Sequence, residues 1–495
     1  MPEFTFVHAA DLHLDAPFRG VSGMLLSGPS VGARPRAFEQ LARLLREGTF
    51  IALRRLTDLC IREKADFLLL AGDVYNSADS SLRARLALRD AFARLEERGV
   101  QVFLAHGNHD PLSADAASIP WPGNVTVFGS RIETHAVARA GETLALIHGI
   151  SHTSPRENKN LARLFKRARS GSGGPDVFQA GVLHCALSDM SGAHAPYAQC
   201  SFGDLSEGEM DYWALGHVHA CRVLDSRGKV LPGYFAGAEG GTEAASSRPF
   251  AAYSGSLQGL HVNESGPHGC LLLKTDGRGG LAAEAVPLAP VQWEHIRLEL
   301  SQDIGDIPSL ENFLLENLTS FAPRQGDKPE NLVGADGFRG GESPETGRLE
   351  GGKRGETGKA WGYPPEAVLA RLSLAGRSGL DHELRKNGAV DDLIEHLNEE
   401  LDGSGLWVRD MDIETRPLAD PAAIMERPDL VGETLRRAFS LRQDPEALAA
   451  AAEQSLAPLF QRPKIRKLLA APADEELARL ADEAALLCLD LLEGE

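Results

Sequence analysis

Cysteine is scarce in this chain: six residues in 495, and Cys60, Cys185, Cys200, Cys221, Cys270 and Cys488 form no Cys-x-x-Cys pair. That spacing argues against a zinc ribbon and against a disulfide framework, so a reducing compartment is expected. Long apolar runs are also missing, and none approaches the ~20 residues of a membrane-spanning helix. The chain runs Met-Pro-Glu-Phe-Thr-Phe-Val-His straight into a strand pattern, without the basic start and apolar stretch of a secretory signal. A cytoplasmic protein with no membrane association is therefore expected. Basic side chains are outnumbered, 51 Lys and Arg against 70 Asp and Glu, for a net charge of -19. Such a balance works against nucleic-acid binding, because phosphate contacts depend on Lys and Arg. Two basic clusters depart from the average: Arg34, Arg36, Arg43, Arg46, Arg54, Arg55, Arg62 and Lys64, and then Arg163, Lys166, Arg167 and Arg169. A solvated helix face is the simpler reading of each.

What is present is an ordinary globular composition, 43% hydrophobic and 24% charged, over a length that suits two or three domains. Short runs of Val, Leu, Ile and Phe that stop at polar clusters predict buried strands over 4–7, 67–71, 102–105, 144–147, 181–183 and 213–215. Helical patterns at 38–60 and 82–98 separate the first three, so an α/β layered fold is expected. Later strands at 251–253 and 270–274 lack long intervening helices, which predicts a second sheet packed on the first. This catalytic region is assigned to residues 1–288. A small α/β capping domain is expected over 291–417, with strands at 293–300, 370–374 and 406–413 and helices at 307–318 and 390–401. It is interrupted at 323–360 by a stretch rich in Gly, Glu, Lys, Arg and Pro, which reads as a disordered insertion. Residues 418–495 read as helical: Asp444-Pro445 suits an N-cap and first position, and Pro472 precedes a last helix. Leu477, Leu480, Ala484, Leu487 and Leu491 form an apolar stripe on that helix, serving either internal packing or a partner.

Five short segments at predicted strand ends concentrate metal-binding side chains: Asp11-Leu12-His13, Gly72-Asp73, Gly107-Asn108-His109-Asp110, Leu183-His184 and Gly216-His217-Val218-His219. Strand ends in an α/β sheet converge on one crevice, so residues distant in sequence can meet there. In extended chain, positions i and i+2 face the same way, which would aim Asp11 with His13 and His217 with His219. Glycine ahead of Asp73, Asn108 and His217 allows a sharp turn and close approach. Carboxylate, amide oxygen and imidazole together suit Mn²⁺, Fe²⁺ or Zn²⁺ better than magnesium or calcium. Singly, each segment is common by chance; five in order predict a dinuclear site. His8, His135, His152, His194, His261, His268, His295, His382 and His396 lack this context and read as structural or surface residues, as do His106 and His148.

The motifs resemble those of the calcineurin-like metallophosphoesterases, and over residues 1–288 those of the SbcD nuclease branch with its YhaO-type DNA repair exonucleases. The segments that carry the resemblance are His8-Ala-Ala-Asp-Leu-His-Leu-Asp-Ala-Pro-Phe18, Tyr212-Trp-Ala-Leu-Gly-His-Val-His219 and Tyr253-Ser-Gly-Ser-Leu-Gln-Gly259. The resemblance implies a sandwich of two mixed β-sheets flanked by helices, with a capping domain and C-terminal helices. It implies two divalent ions, Mn²⁺ foremost. Asp11, His13 and His219 would bind one, Asn108, His184 and His217 the other, and Asp73 would bridge them. His109 would be a non-ligand acid, oriented by Asp110 unless that carboxylate makes a structural hydrogen bond. Paired divalent ions lower the pKa of water, hold phosphate and stabilise an in-line displacement. The implied activity is exonucleolytic cleavage of DNA in repair, with DNA, an SMC-like ATPase of the SbcC/YhaN type and a second copy of the chain as partners. The alternatives are a phosphatase, a cyclic-nucleotide phosphodiesterase, or a non-enzymatic adaptor. One departure stands out: several nuclease members carry a histidine shortly after the Gly-Asp segment, where this chain has Val74-Tyr75-Asn76-Ser77.

Overall fold

The computed structural model describes residues 2–21, 36–76, 81–114, 120–169, 177–188, 197–234, 248–323, 363–418, 421–460 and 474–493. Arg34, His194, Pro472 and nearly all of the expected insertion at 323–360 lie outside the described residues. Among the described residues the chain begins with β1 (Thr5–Ala9), β2 (Phe67–Ala71), β3 (Gln101–Ala105) and β4 (Val125–Val127). It continues with β5 (Glu133–Arg139), β6 (Glu142–Gly149), β7 (Phe178–His184), β8 (Tyr212–Gly216), β9 (Arg222–Leu224), β10 (Val230–Leu231) and β11 (Ala251–Tyr253). Strands β12 (Gly269–Thr275) and β13 (Leu281–Pro287) follow, then β14 (Val291–Glu299), β15 (Ala367–Arg377) and β16 (Leu406–Arg416). One sheet has the order β13-β12-β1-β2-β3-β4, the next β10-β9-β11-β8-β7-β6-β5, and a small third one β14-β15-β16.

Both large sheets are mixed. In the first, β1 to β4 run parallel while β12 and β13 are antiparallel additions. In the second, β6, β7, β8 and β11 are parallel and β5, β9 and β10 are antiparallel. Parallel strands need crossovers: α1 (Arg36–Arg62) and α2 (Leu82–Glu96) supply them for β1 to β3, and α3 (Phe202–Glu207) lies in the one from β7 to β8. These strands are buried on both faces, which is why they read as unbroken apolar runs rather than as alternating patterns. Phe6, Phe67, Leu69 and Phe103 meet Phe178, Tyr212, Ala214 and Ile147 of the second sheet in one core. Phe6 stacks on Phe67 with centroids 4.8 Å apart, and Tyr212 lies edge-on to it at 5.6 Å. The opposite faces of β1 to β3 contribute Val7, Leu68, Leu70, Val102 and Leu104 to a core with Leu53, Leu56, Leu88 and Phe92 of the two helices. His8 is buried between the sheets, with hydrogen bonds to the Tyr212 hydroxyl at 2.9 Å and to the Leu215 carbonyl at 3.2 Å. That is the structural role expected of it.

The chain divides into two compact units: residues 1–296, 315–372 and 394–410 in one, and 297–314, 373–393 and 411–495 in the other. Within the first, Arg43, Arg46, Arg54, Arg62 and Lys64 are exposed, while three other residues of the basic clusters make specific contacts. Arg55 is buried and donates to Glu366 Oε1 at 2.6 Å and to the Leu288 carbonyl at 3.1 Å. Arg163 is tied to Asp204 and Arg167 to Asp211. The second unit contains α4 (Ile307–Thr319) in part, α5 (Asp381–Leu384), and the C-terminal helices α7 (Pro421–Met425), α8 (Leu430–Gln443), α9 (Pro445–Phe460) and α10 (Asp474–Glu493); α6 (Ala389–Glu400) is divided between the units. Asp444 accepts a hydrogen bond from the Ala447 N–H at 3.0 Å, the cap that the Asp-Pro pair predicts. Of the stripe on α10, Leu477 is half-buried while Leu480 is 38% and Leu487 56% exposed, and Ala485 packs beside Ile424, Val431 and Leu435. No helix among the described residues is long and apolar enough to cross a membrane.

Candidate metal centre

The five metal-binding segments lie at or just beyond the C-terminal ends of β1, β2 and β3 in one sheet and of β7 and β8 in the other, so two sheets rather than one bring them together. The expected alternation of extended chain is not the cause. Asp11, His13 and His217 lie beyond the last residues of β1 and β8 and have positive φ of 51°, 41° and 106°; Asp73, just past β2, has 51°. Left-handed backbone at non-glycine residues costs about 1–3 kcal/mol each and persists only where surrounding contacts over-determine it. Here those contacts are visible. The Asp11 N–H donates to the Gly72 carbonyl at 3.0 Å, and the His13 N–H to the Asp73 carbonyl at 3.1 Å. The His217 N–H reaches Asp11 Oδ2 at 3.0 Å, and the His109 N–H reaches Asp73 Oδ1 at 2.8 Å.

The glycines act mainly by absence of a side chain. Gly72 does turn, with φ +91°, and a Cβ there would also meet His184 Nδ1 at 2.4 Å. Gly216 is needed for space alone, since a Cβ would stand 1.9 Å from the Ala71 carbonyl oxygen. Gly216→Ala is therefore expected to lower stability by about 2–3 kcal/mol through overpacking, read as a lower denaturant midpoint at unchanged slope. An unchanged midpoint would contradict that close approach.

The side chains converge. Ligand atoms of Asp11, His13 and His219 lie within 4.8 Å of one another, as do those of Asp11, Asp73 and His184. Asp11 is common to both groups, and Asp73 Oδ2, in the second, lies 3.3 Å from His184 Nε2 and 4.0 Å from His13 Nε2 of the first. Asn108 Oδ1 approaches His184 Nε2 at 3.0 Å. His217 belongs to neither group of three; its ring sits 5.3 Å from that of His184, edge to face. His109 is exposed, with its ring 5.1 Å from that of His13.

Three imidazoles are oriented from behind. His184 Nδ1 bonds to the Ala71 carbonyl at 2.9 Å, His13 Nδ1 to Asn76 Oδ1 at 2.9 Å, and His219 Nδ1 to Glu264 Oε1 at 2.7 Å. Each Nδ1 faces an acceptor, so each Nδ1 carries a hydrogen and Nε2 is aimed inward, where it binds either a proton or a metal ion. The consequence is sharp at His13 and His219, whose Nε2 atoms face each other at 3.2 Å. Two lone pairs at that distance would repel, so a proton or a metal ion lies between or beside them. Without metal, protons take that place. Burial pushes the Asp11 carboxyl up to about 6, against the pull of His184 and His219. Burial would lower His184 and His219, yet Asp73 lifts the first to about 9 and Glu264 with Asp11 lifts the second to about 9. Asp73 resists burial and stays well below the usual carboxylate range because of His184 and His13. Burial takes His13, which lacks a carboxylate partner behind it, down to about 4. Buried carboxylates with inward-facing imidazole nitrogens fit divalent cations of the Mn²⁺, Fe²⁺ or Zn²⁺ kind.

Asp110 accepts hydrogen bonds from the backbone of two loops. Its Oδ1 accepts from the Gly107 N–H at 2.7 Å and the Asp73 N–H at 3.2 Å, and its Oδ2 from the Val74 N–H at 3.0 Å. His106 Nδ1 lies 3.2 Å from the same Oδ2. These bonds lash the β3 loop to the β2 loop. Sequence reasoning did not single out Glu264, which no motif marks, and it noted Asn76 only as a departure.

Residues 4–221 match the family described as "Calcineurin-like phosphoesterase", and the site above lies mostly within that stretch, which is a domain of the calcineurin-like metallophosphoesterase kind. Among individual proteins, the chain is similar to the uncharacterized metallophosphoesterase YhaO of Bacillus subtilis, 33% identical over 303 residues, which are 61% of this chain and 64% of that one. It is more distantly similar to the DNA double-strand break repair protein Mre11 of Sulfurisphaera tokodaii, 26% identical over 181 residues, or 35% of this chain and 43% of that one. The Mre11 protein of Archaeoglobus fulgidus is 22% identical over 243 residues, 46% of this chain and 48% of that one. The chain thus spans less than two thirds of the length of these relatives. Among solved structures, a dimetal phosphatase from Danio rerio aligns at 13% identity with a TM-score of 0.30, over 57% of this chain and 98% of that one.

Proposed function

We propose that the chain is a two-metal DNA phosphodiesterase, an exonuclease acting in DNA repair with Mn²⁺ as its preferred ion. The observation that carries the reading is the convergence of Asp11, His13 and His219 and of Asp11, Asp73 and His184, each group with its ligand atoms within 4.8 Å of one another, which suits two cations in place of protons. Asp11, His13 and His219 would hold one ion, Asn108, His184 and His217 the other, with Asp73 between them. Such a pair of ions supplies the positive charge that activates water and binds phosphate for in-line displacement. The protein's own side chains do the rest. Ala71, Asn76 and Glu264 hold three imidazoles in register, and His109, exposed at the edge of the centre, donates a proton to the departing oxygen.

DNA as substrate rests on the likeness to proteins named for DNA double-strand break repair and on the nuclease-branch motifs. The net charge of -19 favours a second reading, a phosphatase or cyclic-nucleotide phosphodiesterase acting on small esters. The exposed Leu480 and Leu487 on α10 support docking of an SMC-like ATPase of the SbcC/YhaN type, and a homodimer is the assembly we propose. The deciding assay supplies Mn²⁺ with end-labelled single- and double-stranded DNA and, separately, a chromogenic phosphodiester. Stepwise shortening of DNA is expected; hydrolysis of the small ester alone would reject the nuclease reading and leave the second.

A further inference from the structure

The carboxylate of Glu264 stands behind His219, and nothing in the motifs of the metal centre calls for it. Its Oε1 accepts from His219 Nδ1 at 2.7 Å, and its Oε2 accepts from the Leu260 N–H at 2.6 Å, so both oxygens are committed. The backbone around it is fastened as well. The Glu264 N–H donates to the His261 carbonyl at 2.8 Å, and its own carbonyl receives His268 Nε2 at 3.1 Å. His268 Nδ1 in turn meets the Ser256 hydroxyl at 2.8 Å, deep in the core. On the other side of the loop the Gly266 N–H binds the Trp293 carbonyl at 2.8 Å, and the buried Trp293 indole donates to the Gly259 carbonyl at 3.1 Å. Glu264 is therefore a fixed charge on a clamped loop, not a surface acid that happens to point inward.

We propose that Glu264 is the positioning residue for His219, holding its imidazole in the Nδ1–H tautomer with Nε2 aimed at one ion of the pair and raising its strength as a ligand. This rests on the two-ion reading above. The contrast with His13 gives the inference its edge. The two histidines face the same point from 3.2 Å apart, but His13 leans on a neutral amide, Asn76, and His219 on a carboxylate. A carboxylate behind an imidazole increases its donor strength more than an amide does, so His219 is the stronger of the two ligands. Loss of the Glu264 charge should accordingly weaken the ion held by Asp11, His13 and His219 and spare the one near His184, whose orienting acceptor is the Ala71 carbonyl.

The test is Mn²⁺ titration of full-length wild type, Glu264→Gln, His219→Ala and the double variant by calorimetry, with bound metal counted by elemental analysis and the melting temperature of each apo protein recorded. Wild type should bind two ions. Glu264→Gln should bind one at wild-type affinity and the other about 10–100-fold more weakly, in an apo protein that still melts cooperatively but at a lower temperature, because the His219–Glu264 ion pair is gone. Adding Glu264→Gln to His219→Ala should do nothing further, because the carboxylate acts through that ring. Wild-type affinity for both ions in Glu264→Gln would overturn the positioning role, as would additive losses in the double variant or a loss of cooperative apo melting with both ions lost. Failure of wild type to bind any metal would instead overturn the two-metal reading itself, so the two failures are distinguishable.

Discussion

Asp73→Asn is expected to lose both metal ions and about 10⁴-fold or more in kcat/KM, the largest effect of any single change in this chain. The reasoning starts from geometry. One carboxylate oxygen accepts the His109 N–H at 2.8 Å, and the other lies 3.3 Å from His184 and 4.0 Å from His13, so the group touches both halves of the site. It is buried, and burial alone would favour its neutral form; the imidazoles on either side hold it ionised. Asparagine keeps the shape and removes the charge. It also presents an amide N–H₂ or carbonyl where two cations need a shared anion, and charge stabilisation by the ions is worth several kcal/mol at about 1.4 kcal/mol per decade of rate. Metal content by elemental analysis and turnover on a phosphodiester check the two parts separately. Retention of two ions with wild-type turnover would remove Asp73 from the centre. Retained ions with lost turnover would show that its charge serves the reaction more than the binding.

Much of the architecture was readable beforehand because the strands are doubly buried. Runs such as Phe67-Leu-Leu-Leu-Ala71 have no polar face to blur them, and abrupt polar ends mark where they stop. Strands that lie at edges were harder. The β5 strand is mostly exposed along Glu133–Arg139, β10 has two residues, and neither shows a pattern distinct from a loop. The candidate ligands were legible for a chemical reason: Asp, Asn and His directly after apolar strands are conspicuous. How they come together was not, since the extended-chain argument gives way to left-handed turns at Asp11, His13, Asp73 and His217 that only long-range contacts impose. Residues that act through others were less legible still. Glu264 lies 45 positions beyond His219, and its carboxylate arrives there through a loop clamped by Trp293 and Ser256. Asp110 shows the converse, a motif residue whose neighbours in sequence suggest catalysis while its hydrogen bonds join the backbone of two loops.

His109→Ala should separate binding from chemistry. What His109 gives to the metal centre is its backbone N–H, bonded to Asp73 Oδ1, and alanine retains that group. Both ions should therefore bind as in wild type. The imidazole itself is exposed, 5.1 Å from the His13 ring, where it can reach a leaving oxygen. A general acid in that place contributes about 10²–10⁴-fold to the rate, so turnover of DNA should fall by that factor. The size of the defect should also depend on the leaving group. An alkoxide such as a deoxyribose oxygen needs a proton as it departs, whereas a nitrophenolate leaves unaided, so the variant should be far closer to wild type on a nitrophenyl phosphodiester. An equal loss on both substrates would show that the ring acts on phosphate charge and not by proton donation. Unimpaired cleavage of DNA would leave the departing oxygen to be protonated by solvent, and His109 without a part in the reaction.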